Sequence, residues 1–220
     1  MNFSLSEQHL AVQSAARDFA QQVLKPGVIE RDTHGTFPAE QVKAMSEMGF
    51  LGMMVSESYG GGGMDTLSYV LAMEELSKID NSSSVIVSVQ NSLVCWGLEE
   101  YGTEAQKAKY LPGLASGQVL GSFCLSEPEA GSDATHQRTT AIDMGDHYLL
   151  NGTKNWITSG TTSGIHLVIA QPNAEAGHRG INVFNVESDW DGVQPGAKED
   201  KLGIRSSDTC SILYTDVKVP

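Results

Sequence analysis

Apolar positions recur at helical spacing through the first half of the chain. Val12, Ala15, Ala16, Phe19 and Val23 follow Ser4 and Glu7, which have capping-box spacing, and Pro26 stops the run, so a first helix is expected here. A second helix is expected from Pro38 to Met48, with Gly49 as its stop and Val42, Met45 and Met48 on its buried face. Leu67, Val70, Leu71 and Leu76 predict a third. The stretch Val85–Val89 is rich in β-branched residues and reads locally as a strand. Its apolar pattern continues to Leu93, Val94 and Trp96, too long for a usual strand, which favours a buried helix. Thr103 and Gln106 form another capping box, opening a short helix expected to end near Pro112.

From about Gln118 the pattern changes. Short apolar runs alternate with Gly, Asn and Asp turns, predicting strands over Thr139–Ile142, Tyr148–Leu150, Thr153–Thr158, Ile165–Ala170, Ile181–Val186 and Ser211–Val219. Gly145-Asp146 and Asn151-Gly152 suit hairpin turns and would make the first three strands a meander, while residues 173–180 read as a polar loop. The expectation is an α+β chain in series: an all-α domain over 1–117, then an antiparallel barrel-like or sandwich-like β domain over 118–220. Elements in series rather than in alternation argue against a doubly wound sheet.

With 220 residues and 40% hydrophobic content the chain can bury a substantial core. Its formal charge of −13, with no cluster of Lys or Arg, disfavours nucleic acid and anionic lipid as partners, but does not exclude one anionic ligand held by backbone N–H groups. Cys95, Cys124 and Cys210 are odd in number and widely spaced, as expected of free thiols in a reducing compartment. No signal-peptide pattern or long apolar run is present, so a soluble protein of the bacterial cytoplasm, or of an organelle matrix if processed, is expected.

The four-glycine run Gly60–Gly63 resembles a phosphate cradle but lacks the βαβ context, and a plain turn is the better reading. The six histidines show no metal-binding spacing, and no GxSxG elbow occurs. The segment Leu125–Asp133 differs from these, because it concentrates hydroxyls, turn residues and three acids directly after an apolar strand. Such a loop can present donors to the polar edge of a ligand, although by composition alone it reads more often as a surface turn.

Phe123-Cys-Leu-Ser-Glu-Pro-Glu-Ala-Gly-Ser132 and Trp156-Ile-Thr158 resemble, in the right order, the two flavin-contacting motifs of the acyl-CoA dehydrogenase family. The resemblance extends over nearly the whole chain through Tyr59–Asp65, Asn91–Leu93, Leu149–Trp156 and Lys198–Arg205, and Lys201–Arg205 with Ser207 and Thr209 is most similar to the short-chain, butyryl-type branch. It implies FAD held by Phe123, Cys124, Leu125, Ser126, Glu127, Gly131, Ser132, Trp156, Ile157 and Thr158, with Ser132 also touching the CoA part of the substrate. Trp156 would pack beside the isoalloxazine, and the Ser126 and Thr158 hydroxyls would serve its polar atoms. Glu129, at a variable position of the signature, would disturb the CoA phosphates if it pointed inward.

The implied reaction is α,β-dehydrogenation of short- to medium-chain acyl-CoA to trans-2-enoyl-CoA, with electron-transfer flavoprotein as acceptor and a homo-oligomeric full-length enzyme. The family's catalytic glutamate lies in a carboxy-terminal helical bundle that this sequence is expected to lack. No catalytic residue is therefore assigned here: Glu127, Asp133 and His136 are poor substitutes, and the 220 residues alone are expected not to turn over. The Val89–Trp96 helix is expected to floor the acyl pocket through Leu93 and Trp96, with ordinary core packing as the competing account. A related acyl-CoA oxidase or flavin monooxygenase, or a non-catalytic chain binding CoA ligands or a protein partner, stay open as alternatives.

Overall fold

The computed structural model describes residues 4–220, which divide into two compact units. One holds the chain up to Val119 together with Lys201–Ser207, and the other holds Leu120–Asp200 and Asp208–Pro220.

The first unit is helical. Helix α1 (Glu7–Phe19) starts at Ser6 rather than Ser4: the Ser6 hydroxyl accepts the His9 N–H, and His9 Nδ1 accepts the Ser6 N–H, so a histidine completes the capping box. The helix continues as a wider π turn over Ala20–Leu24, closed by Lys25 N–H donating to Ala20 O. The wide turn shifts the inward face by one residue. Leu24 is therefore buried while Val23 is only half-buried, alongside Ala16, Phe19 and Ala20 in the core. Helix α2 (Val28–His34) was not anticipated, because none of its residues is buried and no apolar periodicity marks it. In α3 (Ala39–Glu47) Val42 and Met45 are buried, but Met48 sits at the C-cap and is exposed.

Helix α4 (Thr66–Ser77) is capped by Asp65, which accepts the Ser68 N–H at 2.7 Å. It buries Tyr69, Leu71, Ala72 and Leu76, whereas Leu67 and Val70 lie outside. The β-branched stretch is helical, as its length suggested: α5 (Asn81–Ser88), a π segment Val89–Cys95 and α6 (Trp96–Tyr101). Within it Asn91 is buried, donating to Phe50 O and Val87 O at 2.8 and 3.0 Å. Helix α7 (Glu104–Ala115) opens on the expected Thr103–Gln106 box but runs through Pro112, because Leu111, Leu114 and Ala115 bury the last turn on both sides of the proline. No helix among the described residues is long and apolar enough to cross a membrane.

The second unit consists of two sheets. Strands β1 (Gly121–Cys124), β4 (Ile165–Ala170) and β5 (Asn182–Glu187) form one, in order β1-β4-β5, with β1 and β4 parallel. Strands β2 (Thr140–Asp143), β3 (Tyr148–Thr158), β6 (Val193–Lys198) and β7 (Thr209–Val219) form an antiparallel sheet in order β2-β3-β7-β6. The strands do not close into a barrel; Cys124, Val168 and Phe184 of one sheet pack with Leu150, Ile157, Cys210, Ile212 and Tyr214 of the other in a single core. The expected β2–β3 hairpin forms around Gly145, which has φ +97°. Asn151-Gly152, in contrast, is no turn, for β3 runs straight through it. Gly152 is needed because its backbone approaches Thr139, where a Cβ would come within 2.4 Å of Oγ1. The mostly exposed edge strand β6, with Pro195 and Gly196, was missed because nothing in it alternates.

Candidate functional site

The two quoted segments, some thirty residues apart, meet where β1 ends beside β3. Ser122 Oγ donates to Thr158 O at 2.9 Å, Asn155 N–H to Ser126 O at 2.8 Å, and Lys154 Nζ to Leu125 O at 3.0 Å. These bonds join the root of the Leu125–Asp133 loop to the strand carrying Trp156, Ile157 and Thr158.

That strand has an irregularity at the site. Between the pairs Lys154↔Ile212 and Ile157↔Cys210, β3 has two residues, Asn155 and Trp156, opposite the single Ser211 of β7. The extra residue is a β-bulge, which reverses the inside-outside alternation of the strand. Lys154 and Ile157 both point into the core as a result, and Trp156 is turned out, 64% exposed, with φ +62°. A bulky residue in the left-handed region is strained, and strain of this kind is retained where the surrounding structure enforces it. Ser159, just beyond, has φ +60°. Trp156 thus presents its indole to solvent on the segment that is bonded to the β1 end, where Phe123, Ser126 and Thr158 are half-buried. Among the described residues nothing takes up the Ser126 or Thr158 hydroxyl, so these joined segments offer an exposed indole and two uncommitted hydroxyls to a planar ligand with a polar edge.

The buried side chains of the two segments serve the scaffold. Glu127, 7% exposed, accepts the N–H groups of Arg138 and Thr139 and lies 2.8 Å from Lys154 Nζ, which is fully buried and also donates to Gln137 Oε1 at 3.1 Å. Burial pushes the Glu127 carboxyl up, but the Arg138 amide, the Lys154 ammonium and Thr139 outweigh it and hold it below the usual carboxylate value. Burial draws Lys154 below the ordinary lysine value against the pull of Glu127. With both oxygens engaged as acceptors, Glu127 is poorly suited to remove a proton from a substrate. Burial also raises the Cys124 thiol to about 12, which makes it an inert acceptor for the Tyr214 hydroxyl at 3.4 Å. Cys124, Glu127 and Ile157 can therefore reach a ligand only through their backbones.

The rest of the loop is open. Gly131 and Ser132 are exposed, Asp133 pairs with His136 at the surface, and Glu129 is held outward by Arg138. The acid at this variable position is thus neutralised. In the helical unit the four-glycine run is a turn: the N–H groups of Gly60, Gly61, Gly62 and Gly63 bond to Glu57, Ser56, Gly52 and Val55 carbonyls, leaving none for a phosphate. Leu93 and Trp96 are exposed at 40% and 50%, and Trp96 packs edge-to-face on Tyr101.

Lys154 and Ser122, which tie the two segments together, were not anticipated. A lysine inside an alternating strand, at an inward position, was the one available signal for the first. Nothing in residue type announced a left-handed tryptophan.

Comparison with known proteins is consistent over the full length. The family model for the acyl-CoA dehydrogenase N-terminal domain matches residues 6–118, and that for the acyl-CoA dehydrogenase middle domain matches residues 122–217. A short-chain specific acyl-CoA dehydrogenase of Clostridium acetobutylicum is 41% identical over 220 residues, 100% of this chain and 58% of the relative. The solved butyryl-CoA dehydrogenase of Megasphaera elsdenii superposes with a TM-score of 0.95 at 40% identity, over 100% of this chain and 58% of that one. A glutaryl-CoA dehydrogenase of Mycobacterium smegmatis in complex with FADH2 gives 0.92 at 36% identity, over 98% and 54%. The chain thus spans a little over half the length of these relatives.

Proposed function

This chain belongs to the acyl-CoA dehydrogenase family, and from that premise we propose that its β unit is the flavin-holding part of an FAD-dependent dehydrogenase of short-chain acyl-CoA thioesters. The observation that carries the reading is the strained, outward Trp156 standing with Ser126 and Thr158 where β1 meets β3. Phe123 to Glu127, Gly131, Ser132 and Trp156 to Thr158 would hold FAD, Cys124, Glu127 and Ile157 among them through their backbones, and Ser132 would also touch the CoA moiety. When bound, FAD would supply hydride acceptance.

The chain's own residues bind and orient. Trp156 covers one side of the ligand and limits water, the half-buried hydroxyls fix its polar edge, and the Glu127–Lys154 pair keeps the loop root from moving. The α-proton would leave to a carboxylate from a segment outside these 220 residues, because Glu127 is buried and engaged, and Asp133 and His136 are occupied with each other at the surface. Electron-transfer flavoprotein as acceptor, a homo-oligomer of the whole protein, and a bacterial cytoplasmic or mitochondrial setting complete the proposal.

The test is the visible spectrum of the chain reconstituted with FAD, before and after anaerobic butyryl-CoA. A perturbed flavin band that butyryl-CoA does not bleach supports flavin binding without a base in these residues. Bleaching would overturn the assignment of the base to another segment, and no bound flavin would overturn the whole reading. Peroxide release by the whole protein on substrate addition would favour the oxidase alternative. Leu93, exposed on the π segment, is proposed as part of the acyl pocket floor. Leu93→Ala in the full-length enzyme should extend the usable acyl chain, and an unchanged preference would remove Leu93 from that role.

A further inference from the structure

The turn after β3 is fastened by a carboxylate that no motif identified. Asp208, the residue before β7, is 2% exposed. Its Oδ2 accepts three hydrogen bonds from that turn: Thr161 N–H at 2.9 Å, Thr161 Oγ1 at 2.7 Å and Thr162 Oγ1 at 3.1 Å. Its own carbonyl accepts the N–H of the left-handed Ser159 at 2.8 Å. The fastening continues to Thr158. Ser163 N–H donates to Ser159 O at 2.8 Å, the Ser163 hydroxyl lies 2.7 Å from Ser122 Oγ, and Ser122 donates to the Thr158 carbonyl. Because the single Ser122 proton goes to Thr158, Ser163 is the donor between the two serines.

Two further observations separate this from an ordinary turn. The turn is seated tightly on β7, since a Cβ on Gly160 would come within 2.5 Å of Cys210 Sγ, the residue whose backbone pairs with Ile157. In addition, Asp208 Oδ1 is buried with no hydrogen-bond partner among the described residues. All three side-chain hydrogen bonds of this buried carboxylate therefore fall on one oxygen and on one turn, which makes the turn the group it holds.

We propose that Asp208 is a positioning residue of the flavin site: by gathering the Thr161 and Thr162 donors it holds the 159–163 turn, and through it the Thr158 backbone and the left-handed Trp156, in the arrangement that receives the flavin. The inference rests on the flavin reading above. It adds a residue outside both motifs to the machinery, acting through the turn rather than on the ligand.

The test uses the full chain titrated with FAD, read by flavin fluorescence quenching and by the absorption maximum of the bound flavin, with thermal melting followed in parallel. Asp208→Ala should weaken FAD binding about tenfold or more and move the bound-flavin maximum toward that of free FAD, while Asp208→Asn, whose amide oxygen can accept the same donors, should stay within about threefold of the parent. Thr161→Val with Thr162→Val, which keeps Asp208 and removes two of its donors, should reproduce the effect of Asp208→Ala and serves if that variant does not fold. Parent-like affinity and spectrum in the alanine or the double valine variant would overturn the inference, as would alanine and asparagine variants that lose FAD only in step with an equal loss of melting temperature. A parent chain that binds no FAD would overturn the flavin reading itself, an outcome visible before any variant is made.

Discussion

Lys154→Met tests whether the buried pair beneath the loop is what joins the two motifs. Methionine keeps the length of the aliphatic stem, so the change is electrostatic rather than steric. The ammonium is withdrawn from Glu127 Oε1, Gln137 Oε1 and the Leu125 carbonyl, all reached from a fully buried position. Removing one partner of a buried ion pair costs about 3–5 kcal/mol. Glu127 keeps the Arg138 and Thr139 amides, which places the expected loss at the lower end, about 3 kcal/mol. For a unit of roughly 100 residues each kcal/mol moves the midpoint by about 4–8 °C, so the β unit should melt about 12–24 °C lower.

The double variant Lys154→Met with Glu127→Gln removes the stranded charge and retains an acceptor for the two amides, so it should regain about 1–3 kcal/mol relative to Lys154→Met alone. The assay is urea and thermal unfolding by circular dichroism for the parent, both single variants and the double, with the coupling taken from the cycle. The dependence on pH carries a definite sign. Glu127 has a folded-state pKa below its unfolded value, so its contribution is complete above the ordinary carboxylate range and is lost as pH falls through the depressed folded value. In Lys154→Met the folded value rises toward the unfolded one, so the stability lost on acidification should be smaller and complete at higher pH. Additive single-variant effects, or a midpoint for Lys154→Met within about 2 °C of the parent, would refute the argument that the pair is coupled.

Two further outcomes follow from the same core. His166 is 1% exposed, and burial lowers its pKa from 6.5 to about 4, so its contribution is complete above pH 6.5 and is lost as pH falls toward 4. The full loss is about 3 kcal/mol, and His166→Phe should flatten the stability-versus-pH curve between those limits in urea titrations; an unchanged slope would assign it to other groups. Trp156→Gly relieves left-handed strain of about 1–2 kcal/mol, offset by about 0.5–1 kcal/mol of added chain freedom, and loses little burial because the indole is exposed. Melting should therefore hold while FAD affinity falls about tenfold or more, whereas a large drop in melting temperature with FAD retained would make the strain a requirement of the fold.

The sequence by itself determined the order of a helical part and a β part, because those are set by local periodicity, capping residues and turn residues. The Thr103–Gln106 box and the β2–β3 turn at Gly145 were legible for that reason. The two segments of the candidate site were legible as motifs, through resemblance rather than through their local chemistry. Features that depend on contacts between distant residues were not. The π turn at Ala20–Leu24 exchanges Val23 for Leu24 in the core, and Gly152 looks like a turn residue yet lies inside a strand because Thr139 packs against it.

The site shows the same division most clearly. That Glu127 is a buried strut, that Trp156 is turned outward by a bulge opposite Ser211, and that Asp208 fastens the following turn were decided only by tertiary structure. Side-chain period predicts which face a residue occupies only while the strand is regular. One extra residue reverses every face beyond it, and a buried charge is identified by partners that the linear sequence does not place beside it.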